Sequence, residues 1–464
     1  MEDKLLQEVV PIVILVTVIA LVIRRLPTVD VGHSPEFRRR RVLNWLPLGL
    51  TYAFLYMGRY NLNALLESKA LSGKEFGNID AVGSIVYGLA FLLNGPLADR
   101  WGGRVTILIA AAGAGGANLI IGLLYMKAGH PPSVTTLTVL FAVNMYFQSF
   151  GAVSIVKVNA SWFHLRERGT FGGIFGILIS LGLYLAFDWA PKIAALTSPE
   201  WLFLAPALIL GVFWVLSFLF VRDTPLAAGL ADFDVADASS GDDGPAEKAH
   251  RVIIRLLTNK TIIVIAFISL CSGFLRQGIL KWYRTFAAGV DLKDSFVYIH
   301  WGMVSCIAGI TGGMFAGIIS DHVFNSRRPP VSAVLFGVVL GGSILIIPLL
   351  GVPASVPWVI AFMMMAIIGV HGMLSGVASQ DFGGRKNAGT ATGLIDGFVY
   401  FGTALQGAVY ARILPEKGTP AAADINNWYA WPVAMVPMAV AGLGLSLYIY
   451  KAVVVPRQKA TPGK

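Results

Sequence analysis

Two arginines, Arg59 and Arg276, lie in stretches that are otherwise apolar enough to cross a bilayer. A guanidinium at bilayer depth is costly unless it faces a wet cavity and a partner, so such residues mark functional sites. The planar donor fork of arginine meets a tetrahedral oxyanion with two parallel bonds, and it stays charged at any physiological pH. Two forks at one depth can clamp a dianion. Tyr52, Tyr56, Arg59 and Asn63 are spaced four, three and four apart, which puts them in one stripe along a helix. Ser272, Arg276 and Tyr283 share a face in the same way, with Gln277 and Lys281 on the neighbouring one. For the tyrosines, the competing reading is ordinary helix packing with their hydroxyls bonded to backbone.

The census of charge at that depth is lopsided. Against Arg59, Arg276, Lys157 and Lys281 the predicted spans offer only Asp396, with Asp188 close to a span end. Excess positive charge calls for an anionic ligand. Lys157 and Lys281, nearer the span ends, either line the cavity or snorkel to the interface. Asp396 is a proton carrier, a packing group or the ion-pair partner of an arginine, and the ion pair is the expectation. His164, His300, His322 and His371 lack paired metal-ligand spacing, so no metal and no cofactor are expected. No nucleophile and base stand together either, which argues against an enzyme.

The elements that carry these residues follow from composition. With 56% hydrophobic and 13% charged residues and a mean hydropathy of +0.69, the chain is an all-α polytopic membrane protein. Runs near the roughly 20 residues that span a bilayer fall at 44–66, 79–98, 104–127, 134–158, 170–193 and 200–220. Six more follow at 261–286, 295–318, 331–350, 356–378, 388–412 and 430–450. An additional run at 9–23 lacks a signal peptide's basic start and small-residue cleavage site, and reads as an uncleaved extra helix or an interfacial one. The expected divisions are 1–42, an extra helix and basic linker; 43–221 and 257–452, two six-helix halves; 222–256, a polar linker; and 453–464, a tail. Cys271 and Cys306, in separate spans, read as packing residues.

Basic residues orient the chain, because short cytoplasmic loops collect Lys and Arg. Arg38–Arg41, Arg100, Arg104, Arg166, Arg168, Arg327, Arg328, Arg385 and Lys386 all fall on one side, expected to be the cytoplasm. The C-terminus belongs to that side and the N-terminus to the periplasmic one. The net charge of +10 is then mostly a topological signal, and no basic soluble face suggests nucleic acid.

Three features recur in order in both halves. The arginines are 217 residues apart, Asp99 and Asp321 are 222 apart, and the basic turns at Arg166 and Arg385 are 219 apart. Duplicated halves with a midplane site are how many secondary transporters are built. The segment Gly95-Pro-Leu-Ala-Asp-Arg-Trp-Gly-Gly-Arg104 resembles the signature loop of the major facilitator superfamily, which implies that fold. Asp99, Arg100, Arg104 and Asp321 are accordingly expected to gate, with Asp99 accepting bonds from arginine or helix N-termini.

Several motifs together resemble the organophosphate:phosphate antiporter family of that superfamily, over about 43–412. They are Tyr52-x3-Tyr56-x2-Arg59-Tyr60-Asn61, Trp162-Phe163 with Arg166-Glu-Arg-Gly169, Arg222-Asp-Thr-Pro225, Leu275-Arg276-Gln-Gly-Ile-Leu-Lys-Trp282 and Arg385-Lys-Asn-Ala-Gly-Thr390. The resemblance implies an exchanger in which Arg59 and Arg276 hold the phosphate of an ester on one face and inorganic phosphate on the return; the chain is expected to work in the inner membrane as a monomer among membrane lipid. It places Tyr52 and Tyr56 near that site. Three positions depart from the glycerol-3-phosphate branch: Phe91 stands for a lysine, Ile179 for a histidine and Lys281 for an acid. The organic half of the substrate is therefore contacted differently. Two other functions fit the residues, a proton-coupled organic-anion transporter using Asp396 and a transporter-like sensor of a phosphate ester.

Overall fold

The computed structural model describes residues 13–15, 17–21, 24, 32–164, 167–235, 249–324, 327–374 and 379–450; side chains at 168–175, 249, 321–322 and 379–385 lie outside that description. Among the described residues the chain is helical, without strands. The N-terminal half comprises α1 (Pro35–Glu67), α2 (Gly73–Trp101), α3 (Gly103–Ala128), α4 (Val134–Trp162), α5 (Arg168–Tyr184) and α6 (Trp201–Phe220). The C-terminal half comprises α7 (Lys260–Gly289), α8 (Trp301–Ile318), α9 (Arg328–Leu349), α10 (Val356–His371), α11 (Ser379–Ile413) and α12 (Ala430–Tyr448). Ten helices among the described residues meet the length and hydropathy of a membrane span. The long helices α1 and α11, which carry more charge, complete the two sets of six.

Local signals set the starts. Ser34 caps α1 by accepting from the Phe37 amide, with Pro35 in the first turn where its missing N–H costs nothing. Ser72 and Glu75 form a reciprocal capping box that opens α2. Both helices therefore begin earlier than the hydropathy predicts. The arginine run 38–41, expected in a linker, is the first part of α1, held there because Arg41 binds Glu167 at 2.9 Å and Arg40 donates to the Phe220 carbonyl. Asp80, expected at the edge of a loop, lies two turns inside α2.

α5 runs into a π-helical turn, Leu185–Trp189, before Ala190–Leu196 completes the span. α8 ends in a second π turn, Ile319–Val323, which contains Asp321. The expected linker includes the short helix Ala249–Thr258; residues 236–248 of it are outside the described residues. At the leading segment the described residues are helical. Leu15 there packs on Ile177 and Tyr184 of the first half and on Met303, Cys306 and Ile310 of the second.

The halves meet mainly along α2 against α11 and α5 against α8. The first seam is close because glycines face backbone at both ends. A Cβ on Gly393 would run into the Phe91 carbonyl, and one on Gly77 into Ala411. Backbones this near leave no room for a side chain at those points.

Candidate substrate site

Arg59 projects from the middle of α1 into a cage of neutral oxygens. Its Nε donates to Gln148 Oε1 at 2.8 Å, Nη1 to the Tyr400 hydroxyl at 2.6 Å and Nη2 to the Tyr87 hydroxyl at 2.7 Å. The Tyr56 ring lies 4.4 Å from its Cζ, a cation–π contact that adds attraction without neutralising the charge. Helices α1, α2, α4 and α11 each contribute one group, so one guanidinium ties three helices of its own half to α11 of the other.

Arg276 is deeper and bare. It is 1% exposed, and among the described residues its Nε and Nη2 have no hydrogen-bond partner. Burying such donors unpaired costs about 1–3 kcal/mol each, more for a charged group. The next residue on each helix locks the two arginines at one depth: Gln277 Nε2 donates to the Tyr60 hydroxyl at 2.9 Å. Tyr52 is buried and stands edge-on to Tyr56, and Asn63 donates to the Lys281 carbonyl at 3.4 Å across the halves. Tyr52, Tyr56, Arg59, Asn63 and Arg276 thus gather around the centre of the molecule.

Three of the sequence expectations change. Lys281 is a buried ion-pair partner of Asp80, so its charge is cancelled within the protein; the expectation failed because α2 begins early enough to carry Asp80 inward. Lys157 leaves the centre altogether. Its Nζ lies 2.9 Å from Asp99 and donates to the Lys386 carbonyl, at the basic face. Asp396 is buried on α11, yet neither arginine forms an ion pair with it among the described residues. One turn along α11, the Tyr400 hydroxyl takes the place by Arg59 that a carboxylate was expected to fill.

Contacts between the halves lie on both sides of this centre. On the basic face Asp99 accepts from the Gly389 amide at 3.0 Å and from the Thr390 amide and hydroxyl at 2.8 and 2.7 Å. Its partners are Lys157 and, from the other half, Gly389 and Thr390, and neither Arg100 nor Arg104 reaches it. Arg100 is exposed. Arg104 donates to the Phe218 carbonyl at the end of α6, while its amide donates to Asp223. Burial pushes the Asp223 carboxyl up, opposed by the amide donors of Arg104 and Gly103. Asp321 sits on its π turn with its side chain outside the described residues. On the opposite face Arg284 lies 3.3 Å from Glu67, and Asp188 accepts the Gly302 and Met303 amides at 2.8 and 2.9 Å.

Sequence reading passed over Tyr87, Gln148, Tyr400 and Asp80. Tyr87 and Tyr400 do have polar neighbours at helical spacing, Ser84 and Asp396, but nothing on either helix points to an arginine on α1. Gln148 did carry a signal, since Asn144 precedes it by one turn and the two are bonded at 3.0 Å.

Comparison with known proteins agrees with this architecture. The Major Facilitator Superfamily profile matches residues 48–407. The glycerol-3-phosphate transporter of Bacillus subtilis (strain 168) is 29% identical over 405 residues, covering 80% of this chain and 86% of that one. Membrane sensor protein UhpC of Salmonella typhimurium (strain LT2) is 26% identical over 412 residues, covering 83% and 87%. A bacterial homologue of the human lysosomal transporter Spinster, inward-facing and unoccupied, superposes with a TM-score of 0.62 at 13% identity, covering 90% of this chain and 98% of that one, a likeness of fold alone. The chain belongs to the Major Facilitator Superfamily, its relatives are consistent with the resemblance to the organophosphate:phosphate antiporters, and it is a multi-pass membrane protein of transporter type rather than an enzyme.

Proposed function

We propose that this protein exchanges a small phosphorylated metabolite for inorganic phosphate by alternating access. The observation that carries the reading is the bare guanidinium of Arg276 beside the neutral cage of Arg59. Two cations without a carboxylate between them ask for a ligand that is all acceptor and doubly charged, and a phosphate group is that ligand. A ligand drives a cycle only through differential affinity for its states. The closed state is the one in which both forks reach a single phosphate, so substrate favours closure and the unloaded pair resists it by repulsion. Asp99 with Thr390 on one face, and Lys281 with Asp80 and Arg284 with Glu67 on the other, act as the two gates that open in turn. The names of relatives, glycerol-3-phosphate transporter and probable hexose phosphate transport protein, suggest an ester of that size. We assign the protein to an inner membrane as a monomer, with the basic face, the C-terminus included, in the cytoplasm.

The test is reconstitution into vesicles loaded with phosphate. Labelled phosphate should enter against internal phosphate or phosphate esters, and non-phosphorylated acids should not compete. Competition by those acids alone overturns the proposal.

A second reading draws on the resemblance to membrane sensor protein UhpC: the same site would bind a phosphate ester and report it to a partner. Binding of the ester to purified protein without flux in the vesicles favours that reading. Uptake that collapses with an uncoupler and with Asp396→Asn would favour proton coupling instead.

A further inference from the structure

Arg276 is not the only buried group on its side of the site without a bond. Ser272 Oγ, one turn earlier on α7, and Nδ1 of His371, at the end of α10, are also buried with no partner among the described residues. α10 packs directly on α7. His371 is 7% exposed. A histidine satisfied by core packing would direct Nδ1 at a carbonyl; this one leaves it open on a helix packed against the one that carries Arg276.

Chemistry distinguishes what His371 offers from what the arginines offer. Guanidinium groups only donate, which suits phosphate oxygens but leaves a substrate hydroxyl without an acceptor. The oxygens of Gln148, Tyr87 and Tyr400 already receive the donors of Arg59. A third positive charge beside two guanidinium groups is disfavoured in a dry site, so the imidazole works as the uncharged form, with one donor and one acceptor nitrogen. We infer that His371 is the specificity residue for the organic half of the substrate, accepting a hydrogen bond from a hydroxyl of a phosphate monoester while Arg276 and Arg59 hold the phosphate. This rests on the phosphate-exchange reading and narrows it to hydroxylated esters.

The experiment compares two inhibitors of labelled phosphate uptake by the reconstituted full chain: glycerol 3-phosphate, and n-propyl phosphate, which has the same head group and no hydroxyl. The wild-type protein should prefer the first by about tenfold, the scale of one hydrogen bond in a buried site. His371→Phe should bring the ratio to about one, and His371→Gln, whose amide oxygen still accepts, should retain part of it. Reading a ratio within one variant removes differences in yield or folding. If His371→Phe does not assemble, His371→Ala is read in the same way. An unchanged ratio in the Phe or Ala variant overturns the inference, as does a ratio lost in Asp396→Asn and kept in His371→Phe, which would assign the hydroxyl to Asp396. Wild-type protein that takes up phosphate with no preference overturns the role of His371 alone. Wild-type protein that takes up no phosphate overturns both this inference and the exchange reading beneath it.

Discussion

Arg59 and Arg276 occupy matching positions of the two halves, yet their surroundings differ in kind. Arg59 spends all three nitrogens on neutral oxygens, whereas Nε and Nη2 of Arg276 have none. A buried charge with satisfied hydrogen bonds holds a structure together; one without them is held in place by the structure around it. The difference separates two tasks that the sequence treats as one. Arg59 organises the interface between α1, α2, α4 and α11 and can lend its charge to a ligand. Arg276 has nothing else to bind.

The largest effect should follow from removing the bare fork. Arg276→Lys keeps the charge and loses two parallel donors, each worth about 1.5–3 kcal/mol when the acceptor is charged. Phosphate affinity should fall by about two to four orders of magnitude, read by isothermal titration or by exchange in vesicles. Arg59→Lys should weaken it less, because Arg59 must release a tyrosine or Gln148 to receive phosphate. Equal losses would break the comparison by showing that the cage opens completely for the ligand.

Lys281 is the third cation of the centre and the one with a carboxylate. Lys281→Met leaves Asp80 buried and unpaired, at a cost of about 3 kcal/mol. The double variant Asp80→Asn with Lys281→Met should recover most of that, since two neutral groups need no counter-charge. Thermal unfolding in detergent gives both values. A double variant as unstable as the single one would mean that packing, not charge balance, holds this pair.

A smaller effect compares the arginines in the same assay without ligand. Arg59→Met orphans three oxygens and should lose about 2 kcal/mol. Arg276→Met breaks no bond and should be neutral or stabilising. Saturating phosphate should stabilise the wild type and leave the Arg276→Met variant unmoved, because stabilisation by a ligand requires binding.

How far the sequence anticipates this depends on whether a residue's role is local. Helix count, halves and the depth of both arginines follow from hydropathy and a 217-residue offset, and the Tyr60–Gln277 contact bears that same offset. Tyr52, Tyr56 and Asn63 were legible because they share a helix face with Arg59. Tyr87 and Tyr400 were not, because their approach to Arg59 is created by packing of α2 on α11, which no single helix encodes. Charge pairing misled for the same reason. Asp80 and Lys281 are 201 residues apart, and a capping box at Ser72, not hydropathy, decides that Asp80 is inside.

The smallest effect tests whether being bare matters apart from being buried. Arg100 also makes no hydrogen bond or ion pair among the described residues, but it is exposed at the end of α2. Water or lipid head groups satisfy its donors, so its charge carries no stored cost. It adjoins Asp99, and a signature motif alone would assign the gate to both. The geometry divides them, because Asp99 grips Gly389 and Thr390 while Arg100 is exposed and takes no part in that contact. Arg100→Ala should therefore change stability by less than about 0.5 kcal/mol and exchange by less than about twofold, measured in the vesicles used for Arg276→Lys. A loss near that of Arg276→Lys would show that unpaired cations act here through the field of the whole face, and would remove burial as the reason Arg276 is singled out.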